Sequence, residues 1–187
     1  DLARLEGASG SFDRVVGIEV AGRDHYAWKP TGEDGAFDRV TLFSDRSYES
    51  LQRNEIRSSV RHVLDTITPD VVAINGWAVP EALAALSWCR RNNRFAILMS
   101  ETFVSSGNPV KEWIKRKRVA KFDAALVGGR WHRDYLLELG FPEDRIAIGY
   151  DVVDNEHFCF GAEQARENPD GIRKALGLPE QFFFANT

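Results

Sequence analysis

Between residues 70 and 148 short apolar runs alternate with helix-like segments, and no other feature constrains the fold as strongly. "DVVAIN", "FAILMS", "AALVGG" and "RIAIGY" read as strands, and "EALAALSWCRR", "VKEWIKRKRVAKF" and "WHRDYLLELG" as the helices between them. Units this short imply right-handed β-α-β crossovers and a parallel sheet. The unbroken apolar character of "DVVAIN" and "FAILMS" is that of strands buried on both faces. Pro80 sits where a first helical turn tolerates it. Trp131, Tyr135 and Leu139 form one row of a helix that Gly140 stops. Upstream, "RVVGIEVAG" is rich in β-branched residues and closes at Gly22, and "RVTLF" is a second strand candidate. Ile56, Val60, Val63, Leu64 and Ile67 recur at helical spacing, with Pro69 just past the end. The expected fold class is α/β, a three-layer Rossmann-like parallel sheet with helices on both faces.

After Phe158 the pattern changes. "GAEQARENPDGIRKALGLPE" is polar, helical at "GIRKALG", and reads as a connector; "QFFFANT" reads as the start of a new strand. At the other end "DLARLEGAS" resembles a helix with no strand in front of it. The expected organisation is a domain over 1–158 and a connector over 159–187, truncated at both ends relative to a complete α/β enzyme. Composition excludes little: 43% hydrophobic and 28% charged residues suit a soluble globular protein. A net charge of −4 gives no reason to expect nucleic acid. Cys89 and Cys159 lie far apart without a CxxC partner, which fits buried thiols in a reducing cytosol. The expected location is cytoplasmic.

In open parallel sheets ligands bind outside the carboxyl ends of the strands. There the sequence places Asn75, Gly76 and Trp77; Ser100, Glu101 and Thr102; Gly128, Gly129 and Arg130; and the stretch from Tyr150 that contains Asp151 and Asp154. Gly128 and Gly129 let the backbone approach a ligand at a helix N-terminus, or simply make a tight strand-to-helix turn. Glu101 suits a base or a sugar-hydroxyl acceptor, or equally a loop brace. Asn75 is a ligand contact or a turn residue, and Trp77 a stacking platform or a packed side chain. "SETFVSSGNP" is a long polar loop of the kind that carries binding residues. No GxGxxG, phosphate loop or GxSxG elbow occurs. His25, His62, His132 and His157 lack metal-ligand spacing, and His62 is expected to be exposed, so no metal is expected.

The helix "VKEWIKRKRVAKF" carries Lys111, Lys115, Arg116, Lys117, Arg118 and Lys121 against Glu112 alone. Its apolar row Val110, Trp113, Ile114 is interrupted by charge at Lys117 and Arg118. Such a helix meets either plain solvent or an anionic surface, a lipid membrane or a phosphate-bearing acceptor.

The segment "FDAALVGGRWHRDYLLELGFPEDRIAIGYDVVDNEHF" resembles the end of the N-terminal domain of family 4 retaining glycosyltransferases of the GT-B fold. The resemblance rests on Leu139, Gly140, Pro142, Ile146, Gly149, Asp151 and Phe158 in order and spacing. It extends more weakly over "PDVVAINGW" and "FAILMSETF", and "GIRKALGLPEQFFF" is similar to the crossing into the family's C-terminal domain. The resemblance implies two facing Rossmann-like domains, this one holding the acceptor and a further C-terminal one holding a nucleotide-sugar donor. Many members carry a histidine where this chain has Glu101. The implied activity is sugar transfer to a glycan, lipid-linked or small-molecule acceptor, with no metal or other cofactor; peripheral contact at a membrane surface is an expectation from the basic helix alone. Acceptor binding falls to Asn75, Gly76, Trp77, Ser100, Thr102, Gly128, Gly129 and Arg130. Tyr150, Asp151 and Asp154 line the cleft floor, Glu101 is the catalytic candidate, and Phe158 pins the connector to the core. A nucleotide-sugar 2-epimerase of the same two-domain architecture stands second, with Glu101 abstracting a proton. A non-catalytic α/β ligand-binding domain stands third.

Overall fold

Ile74, Leu98 and Ala125 stand abreast on three neighbouring strands, at 3%, 0% and 2% exposure, and the fold is built on that row. They are seen in a computed structural model that describes residues 13–23, 38–150, 155–179 and 181. The strands are β3 (Val71–Asn75), β4 (Phe95–Ser100), β5 (Ala124–Val127) and β6 (Ile146–Ile148), all parallel, in the order β3-β4-β5-β6. Ahead of them β1 (Val16–Arg23) and β2 (Asp38–Ser47) pair in parallel as a separate two-stranded sheet. The helices are α1 (Arg53–Ile67), α2 (Pro80–Asn92), α3 (Pro109–Val119) and α4 (Arg130–Glu138). The parallel, Rossmann-like α/β architecture expected from the sequence is the one observed.

Local chemistry sets the helix limits. Gln52 and Glu55 form a capping box at the start of α1, and Thr68 ends it in the left-handed region with Pro69 behind. Pro80 opens α2 and Pro109 opens α3, each where no backbone N–H is required. Asn108 caps α3 by accepting hydrogen bonds from the amides of Val110 and Lys111. Gly140, at φ +83°, lets the chain leave α4 in a conformation costly for any side chain. The buried stripe of α1, Ile56, Val60, Val63 and Leu64, matches the spacing read from the sequence. Trp88 ties α2 to α1, donating its indole N–H to Asp65 at 2.6 Å.

Several expectations need correction. "DVVAIN" and "FAILMS" are not buried on both faces: burial alternates, with Ala96, Leu98 and Ser100 sealed while Phe95 is 46% exposed. Each crossover from β3 to β6 steps one strand in the same direction, so right-handed connections bring α2, α3 and α4 to a single face. That face is the sealed one. β2 is longer than "RVTLF", and β6 is shorter than "RIAIGY" because Gly149 turns away at φ +137°. Trp131 does not share the burial of Tyr135 and Leu139: at 77% exposure it lies in the first turn of α4, ahead of the packed part of that helix. Cys89 is buried, and burial pushes its thiol up to about 11, but Cys159 is exposed.

The chain divides into two units, 1–150 and 151–187. The second contains α5 (Asn155–Glu167) and α6 (Pro169–Ala175): α6 overlaps the helix expected at "GIRKALG", and α5 makes residues 159–167 of the expected connector helical as well. Phe158, at 61% exposure, is not packed into a core. Asp151, Asp154, His25, "DLARLEGAS" and residues 182–187 lie outside the described residues.

Leu98 is fully enclosed on the central row, so Leu98→Ala is expected to cost about 3 kcal/mol in urea unfolding. Gly22→Ala should part β1 from β2, because the added methyl would collide with the Ser44 carbonyl oxygen. Faster amide exchange in both strands, with α4 unchanged, is the expected readout.

Candidate functional site

The four strands of the larger sheet end in step. Asn75 pairs with Met99, Ser100 with Val127, and Val127 with Ile148. The backbone then closes the edge: the Gly76 amide donates to the Met99 carbonyl at 2.8 Å, and the Gly149 and Tyr150 amides both donate to Val127, at 3.0 and 3.3 Å. The amino edge is instead braced by charge. Asp123 pairs with Arg90 and accepts from the Ala96 amide, and Arg94 pairs with Asp70. Those groups are committed to holding strands together, which leaves the carboxyl edge as the place for chemistry.

At that edge the expected residues fall into two groups. Asn75, Gly76, Trp77 and Thr102 line a cavity of about 510 Å³. Its wall also includes Ile18 and Val20 of β1, Val72 and Ile74 of β3, and Val60 and Leu64 of α1, so it opens where β1 and β3 share no hydrogen bonds. Trp77 is only 6% exposed and is packed into the wall. Gly76, at φ +75°, turns the chain into that wall. Glu81 also lines the cavity and accepts from the Tyr48 hydroxyl, at 3.2 and 3.1 Å to its two oxygens. Burial first, and the Glu81 charge second, push Tyr48 up to about 12.

Gly128, Gly129 and Tyr150 form the second group, around the start of α4. Gly129 occupies the N-cap position and supplies no side-chain cap, so the first-turn amides stay open to an anion. The sequence reading passed over His132, which belongs here. A Cβ on Gly128 would stand 3.4 Å from its ring, and the ring meets Phe103 edge-on at 5.6 Å. Its buried Nδ1 has no hydrogen-bond partner among the described residues. Screening histidines for metal-ligand spacing could not find it; its position one turn after a glycine pair could.

Glu101 is exposed and, among the described residues, has neither hydrogen-bond nor ion-pair partner, so it is not a loop brace. Ser100 is buried and accepts from the Thr102 amide at 3.2 Å, which fixes the chain on either side of Glu101. Arg130 is exposed at the head of α4, and His62 is exposed on α1 as expected. Among the described residues no group of three or more His, Cys, Asp or Glu side chains could hold a metal ion.

The loop that follows is held by a cluster absent from the sequence reading. Glu112 accepts from the Ser106 amide and hydroxyl at 2.9 and 2.7 Å, from Lys115 at 2.9 Å and from the Tyr135 hydroxyl at 2.7 Å. Lys115 also lies 2.6 Å from the Tyr135 hydroxyl. Lys115 therefore works inside the domain, not on an outer basic face. Its hydrogen bond, followed by those from Ser106 and Tyr135, holds the Glu112 carboxyl well below the usual carboxylate range. Arg116 donates to the Glu138 carbonyl at 3.0 Å, a second tie between α3 and α4.

No protein-family model and no curated protein matches the chain. Solved structures do. A UDP-GlcNAc 2-epimerase from Neisseria meningitidis bound to UDP-GlcNAc is 13% identical, with a TM-score of 0.49 over 76% of this chain and 47% of that one. A UDP-N-acetylglucosamine 2-epimerase from Rickettsia bellii is 20% identical, with a TM-score of 0.47 over 82% and 38%. A UDP-GlcNAc 2-epimerase from Methanocaldococcus jannaschii is 17% identical, with a TM-score of 0.44 over 64% and 32%. This chain thus spans less than half the length of each. All three carry the activity that stood second to glycosyl transfer in the sequence reading.

Because the folded-state pKa of Glu112 is depressed, its contribution to stability is complete above the ordinary glutamate value of about 4.3 and is lost as pH falls through the folded value. Acid titration should loosen the α3–α4 tie below that range, seen as a change in Trp113 fluorescence. Glu112→Gln should be less stable at neutral pH and lack this acid-dependent step.

Proposed function

We propose that this chain is the N-terminal half of a two-domain nucleotide-sugar enzyme that epimerises the sugar at C2. The observation that supports it is Glu101: an unpaired, exposed carboxylate at the carboxyl edge of a parallel sheet, with Thr102 and Asn75 beside it on a cavity and the open amides of α4 on the same edge. A carboxylate without a partner keeps its lone pairs for a substrate proton, and a fixed neighbour at Ser100 keeps it in place. Open helix amides and the Arg130 guanidinium offer the matching contact for a phosphate. Side chains and helix amides of both halves meet the diphosphate charge, so the reaction needs no metal. A second domain supplies the remaining nucleotide contacts, and residues 1–187 alone should turn nothing over.

Glycosyl transfer by the same halves is the second reading, favoured by the run from Leu139 to Gly149 that resembles family 4 transferases. The two separate by product. The full-length protein, given UDP-GlcNAc in D₂O, should place deuterium at C2 of the recovered sugar nucleotide, and Glu101→Gln should lower that exchange by about a hundredfold or more. UDP release that depends on an added acceptor, with no deuterium at C2, would assign the protein to the transferases.

A further inference from the structure

Helix α3 is amphipathic in the reverse sense. Its inward face carries Glu112 and Lys115, satisfied by Tyr135, together with the fully buried Val119. Its outward face carries Val110 at 66% and Trp113 at 59% exposure, one turn apart, followed by exposed Lys117 on the same side, and exposed Lys121 lies in the turn just after the helix. Lys117 Nζ lies 5.9 Å from the centre of the Trp113 ring. Two neighbouring segments add to this surface: Phe103 and Val104, at 57% and 60%, precede the helix, and Trp131, at 77%, opens α4. Ser106 ties the first segment to Glu112, and Phe103 meets His132 beside Trp131. Among the described residues of unit 1–150, every large apolar side chain more than half exposed belongs to these three segments.

We propose that this face is a docking surface for an anionic lipid bilayer. Two tryptophans, a phenylalanine and two valines present an apolar patch that water solvates poorly. Along the helix and the turn after it the free charge is positive: Lys111, Lys117 and Lys121 have no ion-pair partner among the described residues, and Glu112 is already matched by Lys115; the exposed Glu101 stands ahead of the first segment. Aromatic rings at headgroup depth with lysines reaching the phosphates is the arrangement an interfacial helix uses. No helix among the described residues is long and apolar enough to span, so the contact lies in the plane of the surface. The residues varied to test it are not the one varied in the epimerase test, so the two readings fail separately.

The test is co-sedimentation of the full-length protein with phosphatidylcholine vesicles, with and without about one-third phosphatidylglycerol. Binding is expected only with the anionic lipid and should weaken steeply with salt. Trp113→Ala with Trp131→Ala should reduce partitioning about tenfold or more, and Lys117→Gln with Lys121→Gln by a comparable factor. All four sites are exposed, so unchanged circular dichroism and melting should accompany the loss. Equal binding to both vesicle types, no binding to either, or variants that bind like the parent would overturn the proposal. So would a chain that self-associates through this face, seen as dimers lost in the tryptophan variant without any vesicle partitioning.

Discussion

The in-step parallel register of β3 to β6 is the constraint from which the rest follows. It lines up Ile74, Leu98 and Ala125 as a sealed row on one face, and the same register brings every strand to its carboxyl end at one level. Gly149 matters because it lets β6 stop after three residues and return two amides to Val127. Had the strands been staggered, Asn75, Glu101 and Gly128 would sit at different depths and share no edge.

Charge is distributed to match. The amino edge spends Asp123, Arg90, Asp70 and Arg94 on strand-to-strand braces, while Glu101 and Arg130 at the other edge remain unpaired among the described residues. Behind the site the Glu112–Lys115–Tyr135 cluster replaces apolar packing between α3 and α4. A polar tie of this kind is costly to leave half made, so both helices are held in one arrangement. Glu112 and Lys115 take the inward face along with the buried Val119, and Val110 and Trp113 are left facing solvent.

Much of this was legible in the sequence. Alternating apolar runs and helical spacing gave the order of elements, and Pro69, Pro80 and Gly140 marked true boundaries because each acts locally through φ or a missing N–H. What failed depends on distant partners. The outward turn of α3 follows from a bond between Glu112 and a tyrosine 23 positions away, and the exposure of Trp131 from the lack of a packed neighbour over one turn. Uninterrupted apolar strands suggested two buried faces, whereas the one-directional strand order brings the helices to one. His132 escaped notice because its environment is made by backbone, Gly128 and Gly129, which has no signature at ligand spacing.

The central claim is that the carboxyl edge, and not the amino edge or the sheet face, receives a nucleotide-sugar. Amide hydrogen exchange of the full-length protein with and without UDP-GlcNAc tests it most directly. The account predicts slower exchange confined, within residues 1–187, to residues 75–77, 100–102 and 128–132. Protection centred on Asp70, Arg94 and Asp123, or none in these segments while the ligand is bound, would contradict it.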